Sequence, residues 1–277
     1  MNTIKKILIP IDFNDSSKEA VKYGAAIAKA SGASLYLLHA YSNMIESFVE
    51  ADGSVNKQAF RNGLYTIKKE YNNMVEAIPE LDEVTHHQLP IRGVSADVMI
   101  TIIQEMKMDL LVMASRRFSG LQELMGTKRA RTLLENTKVP LLLIPNGGKV
   151  KPVRKIAIAI DEETEVDKEV LEVLPKLAES FDAKLEIVNV HSYKGKPTKY
   201  IPAALSVEEL LEDLQPDFFD YYHKSTEKGL TEYVKGNNVD IVTLFPRKKR
   251  SMIQKLFQES LTAEMVNKME VPLLILR

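Results

Sequence analysis

Four blocks of this chain recur in the same order. Lys6-Ile7-Leu8-Ile9-Pro10-Ile11-Asp12 returns as Lys155-Ile156-Ala157-Ile158-Ala159-Ile160-Asp161. The run from Ala33 to Ala40 returns as Ala183 to Val190, Met108 to Met113 as Val239 to Leu244, and Val139 to Ile144 as Val271 to Leu276. A repeat of about half the chain, and not the short period of a solenoid, requires a fold that can be built twice. At 277 residues each copy has the length of an ordinary domain. The expected division is residues 1–146 and 150–277, with 147–149 as linker.

Each copy begins with a short, mostly β-branched apolar run, Ile7 to Ile11 and Ile156 to Ile160. Such runs suit strands buried on both faces of a parallel sheet. Pro10 cannot donate to a ladder, which places it near the strand exit. Ser16 with Glu19 has capping-box spacing, and a helix to about Ala30, ended by Gly32, is expected behind it. Strands follow at Leu35 to Ala40, His87 to Leu89, Leu110 to Ala114 and Val139 to Ile144, with helices from Ser95 and from about Thr127 to Asn136. With right-handed crossovers this order gives a doubly wound five-stranded parallel sheet flanked by helices, repeated in the second half, where the third strand falls near Phe218 to Tyr222.

Two stretches fit the repeat poorly. Asn43 to Leu81 holds a long helix, roughly Gln58 to Ala77; Ser192 to Pro216 holds a short one near Val207 to Leu214. Excursions of this length serve as lids or partner surfaces, or are plain surface insertions. The last strands, Val139 to Ile144 and Val271 to Leu276, would be flat apolar edges in isolation. Such edges pair, so the two copies are expected to join within one chain. A further dimer of chains is left open.

Ligands of open parallel sheets bind beyond the carboxyl ends of the strands. In the first copy those ends are Asp12, Ala40-Tyr41 and the segment Met113 to Thr127, which includes Ser115, Arg116 and Arg117 and opens a helix with Gly126-Thr127. A helix N-terminus attracts anions, and Thr127 adds a hydroxyl donor. The alternative is that the arginines are a solvated loop and Thr127 a helix cap. In the second copy the ends are Asp161, Val190-His191 and Phe245 to Ser260, basic again at Arg247 to Arg250. There Glu259-Ser260 stands in place of Gly126-Thr127, and a carboxylate beside a phosphate is opposed by up to about 4 kcal/mol at close range. No ordinary nucleotide site is expected there; Asp161, Val190 and Ser260 are its vestiges.

The ordered blocks, with Lys6 to Asp12, the helix from Ser17, the strand ending at Ala40 and the stretch Met113 to Ile144, resemble the universal stress proteins in their tandem form. The resemblance implies an adenine-nucleotide alpha-hydrolase-like fold and dimerisation through the last strand. Many members bind ATP or a related adenine nucleotide. In them the aspartate after the first strand and the end of the second strand contact the nucleoside, and a Gly-x2-Gly-x9-Gly-Ser/Thr loop holds the phosphates. By this resemblance Asp12, Ala40, Met113, Ser115, Arg117, Gly126 and Thr127 form the candidate site, with ATP or AMP as ligand. This chain departs from the motif: Ala114 and Arg117 replace the first two glycines, and the stretch before Gly126 is one residue short. Side chains then stand where backbone must approach phosphate. Arg117 could instead pair with an oxyanion.

Other chemistry is narrowed by composition. There are no cysteines, which excludes disulfides and thiolate catalysis. Net charge is −1, and Arg247 to Arg250 lack an aromatic platform, which argues against nucleic acid. No run approaches the roughly 20 apolar residues of a membrane span, and the N-terminal apolar run is short for a signal peptide, so a cytoplasmic protein is expected. His39 reads as a packed core residue, and His191 as a neighbour of Asp161. His86 and His87 point to opposite faces and cannot jointly chelate. The balance favours a stress-response protein that acts by binding unknown protein partners, with its nucleotide site eroded. The alternative is an adenine-nucleotide sensor using the first copy, with weak ATPase activity.

Overall fold

A computed structural model of the chain describes residues 3–41, 56–93, 95–115, 136–145, 147, 150–160, 164, 168–192, 207, 209, 211–245 and 270–277. The first half contains β1 (Lys6–Pro10), α1 (Asp15–Ser31), β2 (Ser34–Tyr41), α2 (Lys57–Glu76), a 3-10 turn at Pro79–Glu83, β3 (His86–Arg92), α3 (Ser95–Met106), β4 (Leu110–Ser115) and β5 (Leu141–Pro145). The second contains β6 (Lys155–Ile160), α4 (Lys168–Leu171), α5 (Val173–Phe181), β7 (Lys184–Ser192), a 3-10 turn at Glu212–Leu214, β8 (Asp217–His223), α6 (Thr226–Gly236), β9 (Ile241–Leu244) and β10 (Leu273–Ile275).

All ten strands form one sheet in the order β3-β2-β1-β4-β5-β10-β9-β6-β7-β8. Pairing is parallel within each half and antiparallel at β5–β10, where the halves meet. At that seam Leu142 lies opposite Leu274, Leu143 opposite Leu273 and Leu141 opposite Ile275. Leu142 and Leu274 are the same position of the repeated block, so the segment pairs with its own copy about a local two-fold. All six side chains are buried. Each such side chain contributes about 1.5–3 kcal/mol on burial, so the seam belongs to the core and is not a loose contact. One apolar cluster runs across it, joining Ile7, Ile9, Leu35 and the α1 side chains to Ile156, Ile158, Leu177 and Leu274.

Local chemistry explains the elements. Ile7, Leu8 and Ile9 are fully buried because helices cover both faces. Backbone groups at Lys5 and Ile11 bond toward β2, whereas Lys6 O accepts from Asp109 on the β4 side. By alternation Pro10 faces β4, where the ladder has already ended at Leu8 opposite Leu111, so its missing N–H leaves no partner wanting. Gly32 ends α1 in the left-handed region at φ 74°, and its N–H donates to Ala28 O. Asp182 repeats that cap at φ 51° in the second half.

Three expectations change. The N-cap of α1 is Asn14, whose side chain accepts from Ser17 N, in place of the Ser16–Glu19 capping box. Glu19 instead accepts from Gly147 N at 2.9 Å. The third strands are longer than the sequence pattern implied, reaching Arg92 and His223. The helix expected near Val207 to Leu214 ends in a 3-10 turn at Glu212–Leu214, with Val207 and Leu211 buried in the core. The expected helix from Thr127 to Asn136 falls, apart from Asn136, outside the described residues.

Candidate functional site

The carboxyl rim of the first half is built by register. Pro10 lies beside Leu38, and Ile11 N–H extends the ladder to Leu38 O at 2.8 Å. Asp12 follows at once, exposed, at the level of Ala40 on β2. On the other side Leu8 lies opposite Leu111, which brings the end of β4, Met113 to Ser115, to the same rim. Ala40 and Met113 both pack into the apolar cluster beneath α3. Asp12, Ala40, Met113 and the Ser115 backbone thus lie at one end of three adjacent strands. Arg117, Gly126 and Thr127 lie outside the described residues, as do Asp161 and Ser260 of the second half.

Hydrogen bonds to Ser17 and Asn14 fix Asp12. Its N–H donates to Ser17 Oγ at 3.0 Å, and the same hydroxyl donates to Asp12 Oδ1. Asn14 donates from its amide to Oδ2 at 2.9 Å and accepts from Ser17 N at 2.8 Å. The turn needs Phe13 in the left-handed region, φ 62°. The carboxylate is therefore held at the N-terminal, positive end of α1. An ionised carboxylate only accepts, so it suits hydroxyl or amino donors and repels phosphate.

Behind Asp12, on the opposite sheet face from Ala40, three rings cluster. Phe13 lies 4.6 Å from the His39 ring and 5.1 Å, edge-on, from Tyr71. His39 Nδ1 lies 3.1 Å from Ile11 O. A carbonyl only accepts, so Nδ1 carries the hydrogen of this contact. His39 is half-buried, not the packed core residue the sequence suggested. The Tyr71 hydroxyl donates to Leu37 O at 3.0 Å and accepts from His39 N at 3.1 Å. Burial pushes its pKa far above the ordinary tyrosine value, so it stays a neutral donor. Sequence reasoning missed Tyr71 and Phe13. The signal for Tyr71 was the stripe Ile67, Tyr71, Met74 and Ile78, whose helical spacing aims α2 and the turn after it at the core.

The second half is built differently at the same rim. A Cβ on Gly229 of α6 would lie 2.8 Å from Val190 Cγ1 and 2.7 Å from His223 Cβ. The helix backbone thus rests directly on Val190, which is buried. His191 Nε2 lies 2.7 Å from Asp220 Oδ1 on β8, and its ring stacks on Tyr222 at 4.9 Å. Its partner is therefore Asp220; Asp161, the neighbour read from sequence, is outside the described residues. Deeper in this half, Glu186 is buried with Lys155 Nζ at 2.8 Å and the Tyr233 hydroxyl donating at 2.9 Å. Burial and the Glu186 carboxylate raise the Tyr233 pKa well above the ordinary value. Among the described residues no group of three or more histidine, aspartate or glutamate side chains is arranged to hold a metal ion.

A doubly wound α/β protein with an acidic residue after its first strand, at the carboxyl rim of the sheet, is the class these features define. The universal stress protein family model matches residues 3–145, and the chain belongs to that family. A universal stress protein of Methanocaldococcus jannaschii is 29% identical over 153 residues, 53% of this chain and 86% of its own length. A universal stress protein of Archaeoglobus fulgidus has a solved structure with TM-score 0.69 at 16% identity, covering 99% of this chain and 97% of its own. A universal stress protein solved in complex with cAMP matches 51% of this chain and 97% of its own, at 24% identity and TM-score 0.36. Among the described residues no helix is long and apolar enough to cross a membrane.

Proposed function

We propose that this chain is a cytoplasmic stress-response or signalling protein that acts by binding rather than by catalysis, and that the nucleotide site of its first half is eroded. The halves serve as domains, 1–146 and 150–277, joined by 147–149. The observation that carries the reading is at the end of β4. Ala114, standing at the first glycine of the phosphate-loop pattern, is drawn into the strand opposite Ile144 and packs against the core. Arg117 stands at the second. Both positions carry a side chain where glycine would leave backbone free to approach a phosphate. In the second half, α6 seated on Val190 supports the same reading.

One observation favours an adenine-nucleotide sensor in the first half, with weak ATPase activity. Asp12 is presented at the rim level with Ala40 and Met113, and its carboxylate suits the hydroxyls of a ribose. AMP, with one phosphate, asks less of the altered loop than ATP.

Two measurements separate the readings. Purified protein is denatured and the supernatant chromatographed for released nucleotide. Thermal unfolding is then followed with and without ATP or AMP, where ligand at 100 times its Kd stabilises by about 2.7 kcal/mol. The binding-protein reading expects no released nucleotide and no shift. An adenine nucleotide released from the native chain and absent from Asp12→Ala overturns it in favour of the sensor.

A further inference from the structure

The two outer edges of the sheet are copies of one another that have come to differ. Leu37 pairs with Gln88 of β3, and its counterpart Ile187 pairs with Phe218 of β8. By that register Gln88, Pro90 and Arg92 correspond to Phe218, Asp220 and Tyr222. β3 is blunted in the ordinary way, with a proline and polar side chains. β8 is not. Phe218 is 45% exposed and Tyr222 46% on one face, and Phe219 is 36% exposed on the other. β8 ends the sheet, so among the described residues no strand pairs its outer side.

This edge is also acidic. Glu209, Glu212, Asp213, Asp217 and Asp220 are all exposed, and no lysine or arginine occurs from Leu205 to Tyr222. The same charge argues against a second copy of β8 as the occupant. A two-fold pairing centred on Asp220 sets Asp220 against itself, and a parallel pairing in register does so at Asp217 as well. Like charges directly opposite each other weaken a strand pair.

We propose that β8 is a docking edge for an extended, basic segment of a partner protein, which adds to it as a further strand. Main-chain bonds to the outer side of β8, which no described strand pairs, hold the segment. Its arginine or lysine side chains on one face meet Asp220 and lie over the rings of Phe218 and Tyr222; a basic side chain on the other face meets Asp217. The inference rests on the binding-protein reading above and names the kind of partner. The nucleotide assays leave this edge untouched, so the two readings fail separately.

The test uses the full chain and a fluorescein-labelled ten-residue peptide of alternating arginine and valine, read by fluorescence polarisation. Comparison peptides alternate glutamate with valine, or arginine with proline, which removes ladder donors. Saturable binding is expected, at least 10-fold weaker in Phe218→Ser/Tyr222→Ser and in Asp217→Lys/Asp220→Lys. It is also expected to be at least 10-fold weaker for the arginine–proline peptide and absent for the glutamate peptide. Hydrogen exchange of the wild-type chain adds a readout independent of any variant: peptide should slow exchange at β8 and not at β3. The proposal is overturned if the peptide does not bind, if either double variant binds unchanged, if the proline peptide binds equally, or if β8 gains no protection. It is equally overturned if the wild-type chain sediments as a dimer that Phe218→Ser/Tyr222→Ser dissolves.

Discussion

Asp109 holds the start of β1 through Lys6: its Oδ2 accepts from Lys6 N and Lys5 N at 2.9 Å each, while Lys6 Nζ donates to Met106 O at 2.9 Å. The arrangement recurs in the second half. Asp240 Oδ2 accepts from Arg154 N at 2.8 Å and Lys155 N at 3.1 Å, and Lys155 Nζ donates to Asn237 O at 2.9 Å. Even the left-handed residues that turn each helix into its strand correspond, Lys107 at φ 52° and Asn238 at φ 53°. The correspondence between the two halves therefore extends to hydrogen bonds as well as strands.

Each carboxylate joins β1 or β6 to the loop before β4 or β9. Asp109→Ala and Asp240→Ala should each cost about 1.5–3 kcal/mol, the range for charged hydrogen bonds. Asn at either position keeps one acceptor and should cost less. Urea midpoints of the four variants check both the size and the order.

Gly24 lets α1 lie close on β1. A Cβ there would stand 2.3 Å from Ile9 Cδ1, in a fully buried side chain. Gly24→Ala should destabilise by about 1–3 kcal/mol despite alanine's better helix propensity. Ile9→Val removes the clashing methyl, so the double variant should be less destabilised than the sum of the two singles. A double-mutant cycle in urea reads this coupling; additive effects would refute it.

The Thr243 hydroxyl is fully buried in β9 and finds no hydrogen-bond partner among the described residues. Thr243→Val keeps the shape and removes the stranded polar group. It should stabilise by about 1 kcal/mol, seen as a higher urea midpoint with unchanged slope.

Tyr71 and Tyr233 have folded-state pKa values raised by burial. Their stabilising effect is complete below the ordinary tyrosine value near 10 and is lost as pH climbs toward the folded values. In that window the native state holds the proton that the unfolded state sheds. Stability should fall by up to about 1.4 kcal/mol per pH unit for each group. Tyr71→Phe should make the fall between pH 10 and 11.5 shallower, and an unchanged slope would count against the assignment.

The succession of strands along the chain was legible in sequence because buried parallel strands are continuous apolar runs, as in Ile7 to Ile11, and because each run has a second, similar run. The N-cap was misread because a capping box is a local pattern. Ser17 is instead drawn back to Asp12, which frees Asn14 to cap. Tyr71 went unrecognised at the rim because its partners, Leu37 and His39, are more than 30 residues away and no periodicity encodes that pairing. The fold of the first half was legible, as were the ends of β1, β2 and β4 beside which Asp12, Ala40 and Met113 stand. The His191–Asp220 pair was not, since it depends on the register of β7 with β8.

The Leu142–Leu274 crossing has a bearing on how such a molecule can evolve. Two identical subunits joined there would separate on dilution, and a change beneficial in one would be imposed on the other. With both copies on one polypeptide the stoichiometry is fixed at any concentration. A substitution at Phe218 leaves Gln88, its counterpart by register, untouched and so alters a single edge, which lets one flank specialise without its twin.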